Sequence, residues 1–189
     1  MVLAALLRHG DTAWSAEGRI QGRADPPLTD AARAALRRFP LPPLCKEMRV
    51  VTSPLARCVE TAALIGAPQA EREARIAEMS WGEWEGRRLA ELRAELGAAM
   101  SENEARGWDF RPAGGESPRE VLARVRSWLA ELTSPTLAVT HRGVIRAVYA
   151  AAAGWDLRGR PPVKLAWDAV HVFRLERGGA PAIEQLNLR

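Results

Sequence analysis

The chain has 189 residues, 47% hydrophobic and 26% charged, with helical stretches alternating with short apolar runs, which fits one α/β domain over residues 1–189. No apolar run approaches the length of a membrane span, Met1–Leu7 is too short for a secretory signal, and Cys45 and Cys58 are isolated. A soluble cytoplasmic protein with reduced thiols and no membrane contact is therefore expected. The net charge of +4 comes almost wholly from arginine, which suits a small anionic substrate, and no dense basic run or fingerprint points to nucleic acid.

Val2–Leu7 is an almost unbroken apolar run, the pattern of a strand covered on both faces. It stops at Arg8, His9 and Gly10, placing a cation and an imidazole at the carboxyl end of a strand, where open α/β sheets bind ligands. Gly18–Leu28 reads as a loop, and Thr29 as the N-cap of a helix through Arg38 that Pro40, Pro42 and Pro43 end. Arg49–Thr52 is a second strand. Ser53 as N-cap and Pro54 in the first helical position then predict a helix to about Ile65, with Arg57 one turn in.

Residues 71–85 read as irregular, Arg87–Ala105 as helical and Gly107–Gly115 as a loop; residues 79–115 are expected to cover the site. Ser117-Pro118-Arg119-Glu120 matches a capping box at the start of a helix to about Leu132. Thr136–Thr140 is a third buried strand ending at His141, and Gly143–Ala153 a small apolar helix. Ala169–Glu176 and Ala182–Leu188 are the last strands, the second at the sheet edge. No internal repeat or linker interrupts the pattern.

Three strands thus end near Arg8 and His9, near Arg57, and at His141. Guanidinium groups bind phosphoryl oxygens in a bidentate way and stay charged at any working pH. A neutral imidazole is a competent nucleophile near neutrality. Helix N-termini after residues 53 and 141 offer further backbone donors.

An ordered set of motifs carries a resemblance. They are Arg8-His9-Gly10-Asp11-Thr12, Gly18-Arg19-Ile20-Gln21-Gly22 followed by Asp25-Pro26-Pro27-Leu28-Thr29, Ser53 through Ala62 around Arg57, Glu78 through Gly86, Gly115-Glu116-Ser117, and Thr140 through Arg146. Together they resemble the histidine phosphatase superfamily in its phosphoglycerate-mutase-like branch, over residues 8–146. The resemblance implies a three-layer α/β/α sandwich with a mostly parallel central sheet. It implies His9 as the nucleophile that becomes phosphohistidine, with Arg8, Arg57 and His141 holding the phosphoryl oxygens. Glu78 would be the acid that protonates the leaving oxygen, with Thr12, Ser15 and Gln21 at the pocket rim. No metal or other cofactor is implied, because the arginines supply the positive field. The reaction implied is hydrolysis of small phosphate monoesters. The rival readings are a cofactor-dependent phosphoglycerate mutase and a non-catalytic phosphate-binding regulatory module.

Three positions depart from the common pattern of the family: Ser15 in place of asparagine, Ala32 in place of a frequent glycine, and Arg142 in place of glycine after His141. Ser15 is shorter and is expected to lose a contact with the phosphate or its loop. Arg142 adds a cation at the mouth, suited to a second anionic group on the substrate, although a solvent-facing role is the plainer reading. His171 reads as structural, and Glu83 and Glu85 as surface residues. Trp81, Trp84 and Trp108 read as packing residues, with stacking of one on a substrate as the alternative; Glu116 reads as part of the start of the next helix, with an indirect site role as the alternative; Arg87, Arg88, Arg106 and Arg111 read as solvated rather than as specificity cations.

Overall fold

The computed structural model describes residues 2–189. Six strands form its sheet: β1 (Val2–Arg8), β2 (Arg49–Thr52), β3 (Glu71–Arg72), β4 (Thr136–Thr140), β5 (Val170–Leu175) and β6 (Pro181–Leu188). Seven α-helices accompany them: α1 (Ala13–Ala16), α2 (Asp30–Leu36), α3 (Ala56–Leu64), α4 (Leu89–Leu96), α5 (Ala98–Glu104), α6 (Pro118–Leu129) and α7 (Arg142–Ala153). The sheet order is β3-β2-β4-β1-β5-β6. The first four strands in that order pair in parallel, and β5 runs antiparallel to both β1 and β6.

The alternation of side chains along a strand explains the three layers. Ala4 and Leu6 of β1 face a core built with Val121, Val125, Val144, Ile145 and Val148 of α6 and α7. Ala5 and Leu7, on the opposite face, pack with Met48, Leu137 and Val172, while Cys58 and Ala62 of α3 cover Val139 of β4 on that side. β1 and β4 are buried on both faces, so their sequences run apolar without alternation. Each fully buried Val, Ile or Leu in these layers contributes about 1.5–3 kcal/mol.

The parallel register sets the site. Arg8 pairs with Thr140 and Thr52 with Val139, so the next residues, His9, His141 and Ser53, emerge side by side at the carboxyl edge. The bonds His9 N–H to Thr140 C=O at 2.9 Å and Ser53 N–H to Val139 C=O at 2.9 Å extend the ladder to that edge.

Several local expectations need correction. Ser53 does not cap α3: that helix begins at Ala56 with Leu55 as N-cap, and the Ser53 hydroxyl instead accepts from His141 at 2.7 Å and from Leu55 N–H at 3.4 Å. Arg57 consequently lies in the first turn, nearer the sheet edge than a full turn would place it. Arg87–Ala105 is two helices, separated at Gly97 with φ +51°. Glu71–Arg72, read as irregular, forms a short edge strand that its exposed polar side chains conceal. The helix after β4 starts at Arg142 with His141 as N-cap. The capping box at Ser117 and Glu120 forms as the sequence predicts.

Candidate functional site

His9 follows β1 and is 3% exposed. Its Nδ1 lies 2.6 Å from the carbonyl of Gly10, an acceptor only, so Nδ1 carries the proton and donates. Nε2 is therefore unprotonated, and it accepts from Arg57 Nε at 3.2 Å. Burial, then the charges of Arg8 and Arg57, hold this imidazole well below its usual pKa. The ring stays neutral, with its one lone pair at Nε2 accepting from Arg57.

Arg57 is fully buried, and all five of its N–H donors find acceptors. Nη1 donates to the Ala24 carbonyl at 2.7 Å and to Asp25 Oδ1 at 3.1 Å. Nη2 donates to the Gly22 carbonyl at 2.8 Å and to His141 Nδ1 at 3.2 Å. Because that donor claims Nδ1, His141 carries its proton on Nε2, which donates to Ser53 Oγ at 2.7 Å. Burial first, then His9 and Arg57, hold His141 well below its usual pKa. The two imidazole centroids stand 5.2 Å apart. One guanidinium thus bridges two neutral histidines brought from residues 9 and 141.

Glu78 sits against the first turn of α7. Its carboxyl accepts from Gly143 N–H at 3.1 and 3.2 Å and from Met79 N–H at 2.8 Å. Burial raises its pKa, and the backbone donors oppose that rise only partly. The two tryptophans that follow Glu78 in sequence part company. Trp81 lines the cleft, whereas Trp84 packs with Leu92 and Met100. A Cβ on Gly143 would fall 2.4 Å from Glu78 Oε1, so only glycine lets the carboxyl lie there.

A cleft of about 790 Å³ opens over this edge, lined by Arg8, His9, Ser15, Gln21, Glu78 and Arg142 among others. Met79, Trp81, Leu89, Arg93 and Phe110 also line it, so the segment 79–115 contributes one wall. Arg57, His141 and Thr12 are 0% exposed and lie behind the wall. Thr12, expected at the rim, lies instead behind it, where its Oγ1 donates to the rim residue Gln21 at Oε1, 2.9 Å away. Ser15 donates from Oγ to Asp11 Oδ1 at 3.1 Å and closes a capping box with Thr12 at the start of α1, so its short side chain serves the loop. Arg8 pairs with Asp11 at 3.1 Å.

Four further residues complete the site, of which only Arg124 was unremarked in the sequence. Asp25 accepts from Arg57 Nη1 and from the backbone N–H groups of Ala56 and Arg57, fixing the guanidinium and the start of α3 together. Arg124 donates to the Glu78 carbonyl at 3.2 Å and to Glu116 Oε1 at 3.0 Å. Glu116 also accepts from Ser80 N–H at 2.8 Å, so it tethers the Glu78 segment as well as preceding α6. Glu85, read as a surface residue, instead accepts from the N–H groups of Arg23, Ala24 and Trp81. Asp25 had a signal, its place in Asp-Pro-Pro-Leu-Thr; Arg124 had none. Arg87, Arg88, Arg106 and Arg111 do not line the cleft. His171 is buried, within 3.1 Å of the Ala166 carbonyl and accepting from Asn187 N–H, a structural position. Among the described residues, no group of three or more His, Cys, Asp or Glu side chains is placed to hold a metal ion, and no helix is long and apolar enough to cross a membrane.

A three-layer α/β sandwich that sets an unprotonated imidazole nitrogen beside a fixed guanidinium, with a buried carboxyl opposite, has the make-up of a phosphoryl-handling enzyme. The chain belongs to the histidine phosphatase superfamily (branch 1), whose family model matches residues 4–189. It is 33% identical to phosphoglycerate mutase-like protein 4 of Arabidopsis thaliana, covering 92% of this chain and 79% of that protein. It is 30% identical to the glucosyl-3-phosphoglycerate phosphatase of Mycobacterium tuberculosis, over 82% of this chain and 78% of the relative. The crystal structure of TTHB049 from Thermus thermophilus superposes with a TM-score of 0.78 at 28% identity, covering all of both chains.

Proposed function

We propose that this protein is a phosphatase that hydrolyses small phosphate monoesters through a phosphohistidine on His9. The observation that carries the reading is the His9 tautomer: Nδ1–H is held by the Gly10 carbonyl, which leaves Nε2 unprotonated, its lone pair held by Arg57 Nε–H until phosphorus takes it. Nε2 attacks phosphorus while the ester P–O bond breaks, and Glu78 gives its proton to the departing alkoxide, releasing an alcohol. Water then attacks the phosphohistidine, Glu78 takes up a proton from it, and inorganic phosphate leaves with neutral His9 restored. Raised by burial, the Glu78 pKa favours the protonated start of this cycle.

Arg8 and Arg57 supply the fixed positive charge, so the reading calls for no metal. Once Nε2 carries the phosphoryl group, its lone pair is consumed, and the Arg57 Nε–H passes to a phosphoryl oxygen. His141, reached by the same guanidinium, completes the cradle, with Ser15 and Gln21 shaping the rim and buried Thr12 holding Gln21 from behind. Residues 79–115 act as the cover of a single domain. The buried free thiols Cys45 and Cys58 fit a reducing, cytoplasmic setting.

The test is a screen of metabolite phosphates reading released phosphate, with His9→Ala as the blank. Turnover that disappears with His9→Ala supports the reading, and release by His9→Ala at the native rate refutes it. Incubation with a phosphoglycerate and a bisphosphoglycerate primer separates the mutase: isomerisation faster than phosphate release overturns hydrolysis as the main reaction. Binding without turnover of any ester would favour the non-catalytic module.

A further inference from the structure

Most arginines around the cleft are neutralised. Arg8 pairs with Asp11 at 3.1 Å, Arg19 with Glu17 at 2.8 Å and Arg93 with Glu104 at 2.7 Å. Arg142 and Arg146 differ. Both line the cleft, and among the described residues neither has a carboxylate within ion-pair distance or a hydrogen-bond acceptor. They stand four residues apart on α7 and so share one helix face, where two like charges repel. Each is propped on an indole, Arg142 4.9 Å from the Trp167 ring centroid and Arg146 5.2 Å from that of Trp155. Arg142 is exposed and Arg146 half-buried, and each meets the field of a neighbouring arginine, Arg8 for Arg142 and Arg142 for Arg146, while Glu78 acts in the opposite sense on Arg142. Two mutually repelling cations without an ion-pair partner, Arg146 half-buried and Arg142 open to solvent at the cleft, are an arrangement that a bound anion relieves.

We propose that Arg142 and Arg146 form a second anion subsite in the cleft, which selects phosphate monoesters carrying a further carboxylate or phosphoryl group. The inference rests on the phosphatase reading for the chemistry but not for the binding. Arg142 adjoins Gly143, whose N–H holds the Glu78 carboxyl, so the subsite lies on the leaving-group side of the transferring phosphoryl. The anion it reads therefore belongs to the alcohol portion of the ester. Trp167 under Arg142 orients the fork toward the cleft and limits its rotamers, which lowers the ordering cost of binding.

The test uses matched pairs of esters. Phosphoserine against phosphoethanolamine differs only by a carboxylate, and ethylene glycol bisphosphate against its monophosphate only by a second phosphoryl group. The wild type should favour the doubly anionic member by roughly tenfold or more in kcat/KM. Arg142→Ala should collapse that preference, with Arg142→Lys restoring part of it. Preference in the first pair alone assigns the subsite to a carboxylate, in the second alone to a phosphoryl group. A wild type without preference, or a preference unchanged in Arg142→Ala, overturns the proposal. The same pairs are titrated calorimetrically against His9→Ala and against His9→Ala with Arg142→Ala. Selective binding lost with Arg142 supports the subsite even if no ester is turned over, a result that would refute only the phosphatase reading.

Discussion

Gly143→Ala separates catalysis from folding more cleanly than removal of a catalytic side chain. The new Cβ falls 2.4 Å from Glu78 Oε1 and 3.3 Å from Met79 Cβ, where ordinary contact begins at 3.4 Å, so the carboxyl has to retreat by about 1 Å. Gly143 is not among the positive-φ glycines, so alanine fits the backbone. Its helix propensity offsets up to about 1 kcal/mol of the roughly 1–3 kcal/mol that overpacking costs. The net destabilisation is then within about 2 kcal/mol, and the fold survives. Catalysis suffers more, since a displacement of about 1 Å costs roughly 100-fold. That loss should appear with an alkyl phosphate, whose alkoxide needs the Glu78 proton. It should be much smaller with p-nitrophenyl phosphate, whose phenolate departs with little help. The assay is kcat/KM on both esters beside a urea unfolding curve, with Glu78→Gln as the comparator. Equal losses on the two esters, or none on the alkyl ester, would refute the assignment of Glu78 as the acid.

Two further predictions concern the buried charges. Asp25→Asn removes the carboxylate partner of buried Arg57. It should lower stability by about 2 kcal/mol, less than a fully buried pair because water reaches Asp25, and reduce turnover at least tenfold; urea unfolding and phosphate release check both, and a neutral result would show that Arg57 is held by the Ala24 and Gly22 carbonyls alone. Stability should also fall with acid. His9, His141 and His171 all have depressed pKa values in the fold. The unfolded chain takes up a proton at each near pH 6.5 and the folded chain does not, so stability present above that pH is lost below it, by up to about 1.4 kcal/mol per pH unit for each ring. Glu78 acts in the opposite sense, its raised pKa favouring the fold at acid pH, but the three rings outnumber it. Urea midpoints unchanged between about pH 7.5 and pH 5.5 would contradict this, and His9→Gln should shallow the slope by one proton.

The layers were legible because β1 and β4 are sheathed on both faces and spell that burial as unbroken apolar runs. The capping box at Ser117 was equally plain, since local bonds alone build it. Sequence reasoning failed where a distant partner outbid a local rule. Ser53 and Pro54 promise a capped helix, yet the hydroxyl goes to His141, 88 residues away in sequence, and α3 starts late. Glu85 reads as a surface charge because nothing near it in sequence reveals three backbone donors, two of them more than sixty residues distant. At the site, residue type announced His9, Arg57 and His141. The tautomers could not be read, because they depend on which acceptor each ring nitrogen meets in space. Arg142 was read mainly as a solvent-facing departure from glycine, and it is exposed. Its indole support and missing counter-ion are properties of the cleft, and Trp167 gave no hint of them.

The central claim is that Nε2 of His9 takes the phosphoryl group. It is tested most directly by rapid acid-free quenching of the enzyme during turnover of a labelled ester, followed by mapping of the label. One phosphoryl group per chain, on His9, labile to acid, stable to base and absent in His9→Ala, is the predicted result. Steady turnover with no label on His9 in the wild type, or a label that persists in His9→Ala, would contradict it.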